Sequence, residues 1–246
     1  MRTQAVLVFG VISLAAAGAA HALSVDELVA KNAAARGGLD KVQAIKALKL
    51  EGKLRFGGSL DLGYLQYNKA PDSVRTEATV QGLTQVQAWD GKEAWQISPF
   101  QGRKDPERLS ADDAKALADD AYISGVLIDA AAKGNKVEYL GTEDIDGTQA
   151  HKLKVTLKSG NIEYVYLDPD HFLEIRTVAQ RKVRGAESES VSDYGDYEEV
   201  NGVYFPFSIA THSKDGGGDV QVTIEKAQAN ESIDAALFAF PSKPAK

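Results

Sequence analysis

The sequence predicts a mainly β (α+β) chain built on a single curved antiparallel sheet of about eleven strands. Three observations carry that prediction. Apolar and polar side chains alternate at period two, most cleanly where Leu48, Leu50, Leu54 and Phe56 are set against Lys49, Glu51, Lys53 and Arg55. Turn sequences separate such runs at short spacing: Asp90-Gly91, Ser159-Gly160-Asn161, Asp168-Pro169-Asp170 and Asn201-Gly202. Helical spacing is confined to the N-terminal region and to the stretch between Pro99 and Gly134.

Taken in order, the chain opens on a leader. Arg2 supplies a positive charge, Ala5 to Ala17 an apolar run, and Ala20-His21-Ala22 the small residues a signal peptidase reads. Cleavage after Ala22 is expected, so residues 1–22 are read as a signal peptide and 23–246 as the folded domain. Ser24-Val25-Asp26-Glu27 is a capping box ahead of a helix carrying Leu28, Val29 and Ala33 and ending at Gly37-Gly38. A short second helix follows with Leu39, Val42 and Ile45. The sheet then begins at Leu48, continues through Leu60, Leu62 and Tyr64, and reads as strands over 74–80, 83–89 and 92–98.

Between Pro99 and Gly134 the strand pattern gives way to helix. Ser110 reads as an N-cap with Asp112 and Asp113 in the first turn, where the helix dipole favours acids. A more apolar segment, Tyr122 to Ala132, follows; with that much apolar surface the insert must cover something. Strands resume over 136–140, 149–158, 162–167, 172–183, 187–200, 203–211 and 219–229. Asn201-Gly202 is the strongest hairpin signal, because both residues tolerate the positive φ of a type I′ turn. Pro206, lacking an N–H, is expected at an edge or a bulge. The same register sets Asp196 and Glu198 beside Phe207 and Phe205, so a bulge or a half-buried face is expected there.

Composition narrows the function. There is no cysteine, which removes thiol catalysis, Cys-ligated metals and an N-terminal lipid anchor, and leaves the secreted domain to rest on its core. The formal charge of −7 argues against nucleic-acid binding. His151, His171 and His212 lack metal-ligand spacing, and Asp168-Pro169-Asp170-His171 is a turn by its own backbone chemistry. Glu143-Asp144-Ile145-Asp146-Gly147 lacks the ligands of a calcium loop and reads as a hairpin turn. The acids Glu187, Glu189, Asp193, Asp196, Glu198 and Glu199 form a solvated face or a docking patch for a basic partner. With no Gly-x-Ser-x-Gly and no phosphate-cradling loop, the chain is expected to be no enzyme and to need no cofactor or metal.

The segments GGLDKVQAIKALKLEGKL (37–54), DGKEAWQISPFQGRKDPERL (90–109) and HKLKVTLKSGNIEYVYLDPDHFLEI (151–175) run in order ahead of the C-terminal block. That block comprises SDYGDYEEVNGVYFPFSI (192–209) and IDAALFAFP (233–241). Together they resemble the LolA/LolB-like outer-membrane lipoprotein-sorting family of periplasmic lipoprotein carriers. The resemblance implies an unclosed β-barrel with a helical lid over a hydrophobic cavity that takes up acyl chains.

It further implies a monomeric periplasmic carrier of lipoprotein or lipid cargo, with an inner-membrane ABC transporter as donor and an outer-membrane receptor as acceptor. Cavity candidates are Leu50, Leu54, Leu62, Tyr64, Trp95, Ile97, Leu127, Val155, Tyr164, Tyr166 and Ile175, types that equally pack plain core. In that family an arginine directly before the proline opening the third strand helps latch the lid. Here Tyr67-Asn68-Lys69-Ala70-Pro71 places Ala70 there, leaving Lys69 or Arg75 as substitutes. An alternative is an envelope-stress sensor or interaction module, since the same half-barrel occurs in such regulators.

Overall fold

The computed structural model describes residues 23–183, 185–214 and 218–241. The leader expected over residues 1–22 lies outside them. Helix α1 (Val25–Ala35) is opened by the expected capping box: Ser24 accepts from the Glu27 N–H at 3.2 Å, and Glu27 accepts from the Ser24 N–H at 2.8 Å. Helix α2 (Leu39–Ala44) follows directly. At the junction Gly37 adopts φ +111°, and a Cβ there would lie 2.1 Å from the Gly202 carbonyl oxygen. Only glycine fits, so the α1–α2 corner sits directly on the Asn201-Gly202 turn.

Thirteen strands form one antiparallel sheet: β1 (Ala47–Phe56), β2 (Leu60–Lys69), β3 (Ser73–Val80), β4 (Leu83–Trp89), β5 (Ala94–Ser98), β6 (Arg103–Arg108), β7 (Lys136–Ile145), β8 (Thr148–Thr156), β9 (Ile162–Leu167), β10 (Glu174–Val183), β11 (Ala186–Val200), β12 (Val203–Ser213) and β13 (Asp219–Ala229). Their order is β6-β5-β4-β3-β2-β1-β13-β12-β11-β10-β9-β8-β7. The end strands β6 and β7 are not neighbours, so the sheet stays open. The expected strand count falls short because β6 reads Arg-Lys-Asp-Pro-Glu-Arg, a charged run with no apolar phase. Charge and proline are what an edge strand carries to discourage further pairing.

Between β6 and β7 lie α3 (Ala111–Asp119), an irregular stretch over 120–129, and α4 (Ala130–Lys133). The apolar segment read as helix over 122–132 is thus helical in its last turn alone. Pro206 lies inside β12, where the ladder to β13 begins two residues later at Ser208, so its missing N–H breaks no bond on that side. Opposite Phe207, Asp196 takes φ +50° and swings out to solvent while the β11–β12 register continues unchanged. That resolves the conflict of an acid facing a buried phenylalanine.

The two sheet faces are covered differently. Helices α1 and α2 and residues 121–134 pack on the inner face. One core joins Ala33, Val42, Ile45 and Ile128 to Leu48, Leu50, Val203, Phe205 and Ile224; a second joins Leu28, Val126 and Leu127 to Leu153, Val155 and Val165. The outer face of β1–β5 is covered by the C-terminal segment 233–241. Ile233 and Phe238 pack with Ala47 and Tyr67, and Phe240 packs with Val86, Ala88, Trp95 and Ile97.

Candidate functional site

Register identifies the inner face at every strand, because cross-strand partners share a face and side chains alternate. Leu48 and Leu50 pack under the helices, and in the same phase β1 carries Gly52, Leu54 and Phe56. Their partners Asn68, Gln66, Tyr64, Leu62 and Leu60 are therefore inward on β2. Val80 and Leu83 face inward on β3 and β4, Ile209 on β12, and Val220 and Val222 on β13.

Along this face runs a gradient. One end is plugged, with Leu28, Leu127, Leu153, Val155, Val165 and Val203 at 1 % exposure or less. The other end is uncovered: Phe56 is 44 %, Leu60 46 % and Leu83 41 % exposed. Phe56 pairs with both Leu60 and Val220, so these side chains form one apolar floor continuous with Leu54 and Leu62. A separate groove of about 740 Å³ runs between α1–α2 and residues 127–137, lined by Val29, Ala30, Ala33, Leu39, Leu127 and Ala131 among others.

The plug is pinned by two cations. Arg36, the C-cap of α1, donates to the carbonyls of Ser124 at 2.8 Å and Ile123 at 3.4 Å, and its guanidinium lies 5.8 Å from the Phe205 ring. Lys133 donates to Ser124 Oγ at 2.7 Å and to the carbonyls of Gly125 and Ile128 at 2.5 and 2.6 Å. Burial pushes the Lys133 ammonium down to about 8, since the charged form is poorly solvated there. Burial raises the pKa of nearby Glu174, against the opposing pull of Arg36 and Lys133.

Helix α3 is held otherwise. It has no fully buried residue, Ala114, Leu117 and Ala118 being half-buried, and hydrogen bonds and an ion pair tie down its C-terminal end. Its C-terminus carries Asp119 and Asp120, where the helix dipole disfavours acids. Arg181 on β10 compensates, donating from Nη1 to Asp120 Oδ2 at 2.8 Å, from Nη2 to Oδ1 at 2.5 Å, and from Nη1 to the Ala116 carbonyl at 3.2 Å. Asp119 accepts from Ser159 Oγ and Asn161 Nδ2 in the β8–β9 turn at 2.9 and 2.7 Å. Burial raises its pKa, opposed by those two bonds. Burial disfavours the Arg181 charge, but Asp120, Glu163 and Asp119 outweigh it and the pKa rises.

Glu163 lies beneath this latch, inward on β9 beside Val155 and Ala179. Burial pushes its carboxyl up to about 8, against the opposing pull of the Arg181 guanidinium 3.8 Å away. Tyr64 and Tyr194 complete the cluster. Burial raises both hydroxyls, with a further contribution from Asp120 to Tyr64 and from Glu163 to Tyr194.

The residues expected to line one cavity separate into groups. Leu50, Leu54, Leu62 and Tyr64 share the inner face of β1 and β2. Leu127 and Val155 fill the closed core of the plug. Trp95 and Ile97 are on the outer face, where Trp95 Nε1 donates to the Phe238 carbonyl at 2.7 Å beneath the C-terminal segment. Tyr164 and Tyr166 also face outward, with Lys152 4.8 and 5.3 Å from their rings. Ile175 sits at the β10 bulge between Glu174 and Arg176. One cavity cannot be lined from both faces of a sheet, so the four outward residues drop out. Lys69 and Arg75 drop out as lid latches for the same reason. Their side chains donate to the Ile233 and Leu237 carbonyls at 2.8 and 2.9 Å, on the outer face.

Arg36, Lys133, Glu163 and Arg181 went unnoticed in the sequence. The available signal was phase: Glu163 shares the phase of Val165 and Leu167, and Arg181 that of Ala179 and Thr177. Among the described residues, no cluster of three or more His, Asp or Glu is placed to hold a metal ion. No helix there is long and apolar enough to cross a membrane.

No family model matches this chain, and no curated protein does. Solved structures do. A LolA superfamily protein from Nitrosomonas europaea is 14 % identical and superposes with a TM-score of 0.59 over 89 % of this chain and 98 % of its own. A DUF1329 family protein from Desulfovibrio piger is 13 % identical, with a TM-score of 0.60 over 87 % and 97 %. An outer membrane lipoprotein-sorting protein domain from Vibrio parahaemolyticus is 11 % identical, with a TM-score of 0.57 over 86 % and 95 %. At such identities the likeness is one of fold: an open antiparallel sheet with helices on its inner face, the LolA-like architecture, is the fold of this chain.

Proposed function

We propose that this chain is a non-enzymatic periplasmic carrier that holds acyl chains of lipoproteins or lipids on the uncovered inner face and moves them toward the outer membrane. The observation that carries the reading is the pairing of a plugged end with an open one. Phe56, Leu60 and Leu83 are left exposed on the very face that elsewhere buries the core. Contiguous exposed apolar surface of that kind marks a binding site for something apolar. The similarity of fold to a lipoprotein-sorting domain adds the class of cargo.

The energetics suit a carrier. Burying about 14 methylenes at ~0.8 kcal/mol each is worth roughly 11 kcal/mol against water. Against a membrane donor the net is near zero, because lipid is equally apolar. A shallow, half-open floor is therefore enough, and tight enclosure would only slow release.

The test is to purify the form beginning at Leu23 without detergent and analyse its organic extract by mass spectrometry. Recovery of phospholipid or acylated peptide supports the reading. An empty protein that also takes up no fluorescent fatty acid overturns it. A photoactivatable acyl probe should label residues near Phe56, Leu60 and Leu83; labelling confined to the α1–α2 groove would remove the open floor as the site.

A further inference from the structure

A cavity of about 550 Å³ lies beneath α3 and shares no lining residue with the apolar floor. One face of the helix roofs it, and Ala111, Ala114 and Ala118 there carry side chains too short to fill the space. Trp89 lies opposite, in the inward phase of Leu83 on β4, paired with Val74 and Ala94. Its Nε1 is buried and has no hydrogen-bond partner among the described residues. Buried donors are ordinarily satisfied, so an unpaired N–H in a cavity lining points to a ligand that supplies the acceptor.

Charge decides what kind of acceptor that is. Four lysines and two aspartates line the cavity, so it is net positive in a chain whose formal charge is −7. Lys133 spends its three donors on Ser124, Gly125 and Ile128 and contributes charge alone. The ammonium groups of Lys92, Lys115 and Lys158 have no ion pair or hydrogen bond among the described residues. They converge from three segments, the β4–β5 turn, α3 and the β8–β9 turn. Of the aspartates, Asp119 already accepts from Ser159 and Asn161, leaving Asp72 to oppose an anion. An incoming anion therefore meets more attraction than repulsion. A carboxylate offers two oxygens, whereas three ammonium groups and an indole N–H match the larger set on a phosphoryl group.

We propose that this cavity is a binding site for a phosphate ester, its phosphoryl oxygens held by Lys92, Lys115 and Lys158 and by the N–H of Trp89. The volume suits a small ester or the headgroup of a phospholipid, and the alanine-lined face of α3 packs against the alcohol part. The site goes beyond acyl binding and does not rest on it.

The experiment follows the indole N–H signals of the isotope-labelled chain in proton–nitrogen spectra while glycerol 3-phosphate is added at constant ionic strength. Trp89 and Trp95 are the only tryptophans, and Trp89→Phe assigns the signals by removing one of them. The Trp89 signal should move saturably, and that of Trp95, which donates to the Phe238 carbonyl, should stay. Glycerol and acetate should move neither. Lys92→Gln, Lys115→Gln and Lys158→Gln should each weaken binding about two- to fivefold, and the triple variant more than about tenfold, with the Trp95 signal reporting an intact fold. Dihexanoylphosphatidylglycerol separates the sources. Tighter binding than glycerol 3-phosphate at the Trp89 signal means a lipid headgroup and weaker binding a free ester, and either supports the site. A Trp89 signal unmoved by both phosphate compounds, an equal response to acetate, or undiminished binding by the triple variant overturns it, whatever the acyl-binding tests return.

Discussion

The two ends of the inner face are built from the same strands and the same kinds of side chain, yet one is core and the other is floor. Leu48, Leu50, Leu54 and Phe56 follow one another on β1 in a single phase, and burial falls from 4 % exposed at Leu48 to 44 % at Phe56. What differs is the cover. Residues 121–134 are tied down by Arg36 and Lys133 and bury Val126, Leu127 and Ile128, whereas α3 has no fully buried residue and is held by the Arg181–Asp120 pair and the bonds of Asp119 to Ser159 and Asn161. The segment expected to act as one lid is therefore two devices: a fixed plug and a lightly attached flap. On the carrier reading proposed above, stability would belong to the first and exchange of ligand to the second.

The largest effect should come from the plug. Leu127→Ala leaves a cavity in a closed core and should destabilise the chain by about 2–5 kcal/mol, read as a lower midpoint in chemical denaturation. An effect below about 1 kcal/mol would mean that this end, too, is loosely filled. Next comes Arg36→Met, which strips the Ser124 and Ile123 carbonyls of a charged donor and should cost about 2–3 kcal/mol, with faster amide exchange over residues 121–129.

The pH dependence sharpens the same contrast. Glu163 has a folded pKa of about 8, above its ordinary value, so its contribution is fully present below the unfolded pKa and is lost as pH rises through about 8. Stability should decline between about pH 5 and pH 8, and Glu163→Gln should flatten that slope in denaturation curves taken across the window. Lys133, whose pKa is lowered to about 8, acts oppositely: stability rises as pH climbs from there toward the ordinary lysine range.

Smaller effects belong to the open half. Asp120→Ala should cost about 1 kcal/mol, the pair being half exposed, while amide exchange accelerates in α3 and stays slow over 121–134. Equal acceleration in both segments would erase the distinction between flap and plug. Smallest of all, Leu60→Ser should change stability by no more than about 0.5 kcal/mol. It should nevertheless weaken uptake of an apolar fluorophore severalfold, a separation of binding from folding that a core residue could not show.

Much of this was legible in the residues. The capping box at Ser24, the N-cap at Ser110, the Asp-Gly and Asn-Gly turns and the period-two runs place strands and helices to within a few positions, because those signals act over one turn or one pleat. The run 103–108 was missed because an edge strand needs no apolar phase, and 122–128 was misread because burial alone makes an irregular segment look as apolar as a helix.

The site was less legible. Alternation divides a strand into two sets and does not say which faces inward. On β9, Ile162, Tyr164 and Tyr166 are as apolar as Val165 and Leu167, so Tyr164 and Tyr166 read as cavity residues until the register set them on the outer face. On β5, Trp95 is buried and Ile97 half-buried, but beneath a C-terminal segment more than 130 residues away in sequence that packs on the other side. The sequence by itself determined the sheet, its turns and the presence of a helical cover, all products of local backbone preference and side-chain period. Tertiary structure alone decided which face is inner, where the cover stops, and that Glu163 and Arg181 meet beneath it, since burial and charge pairing are properties of segments brought together across the whole chain.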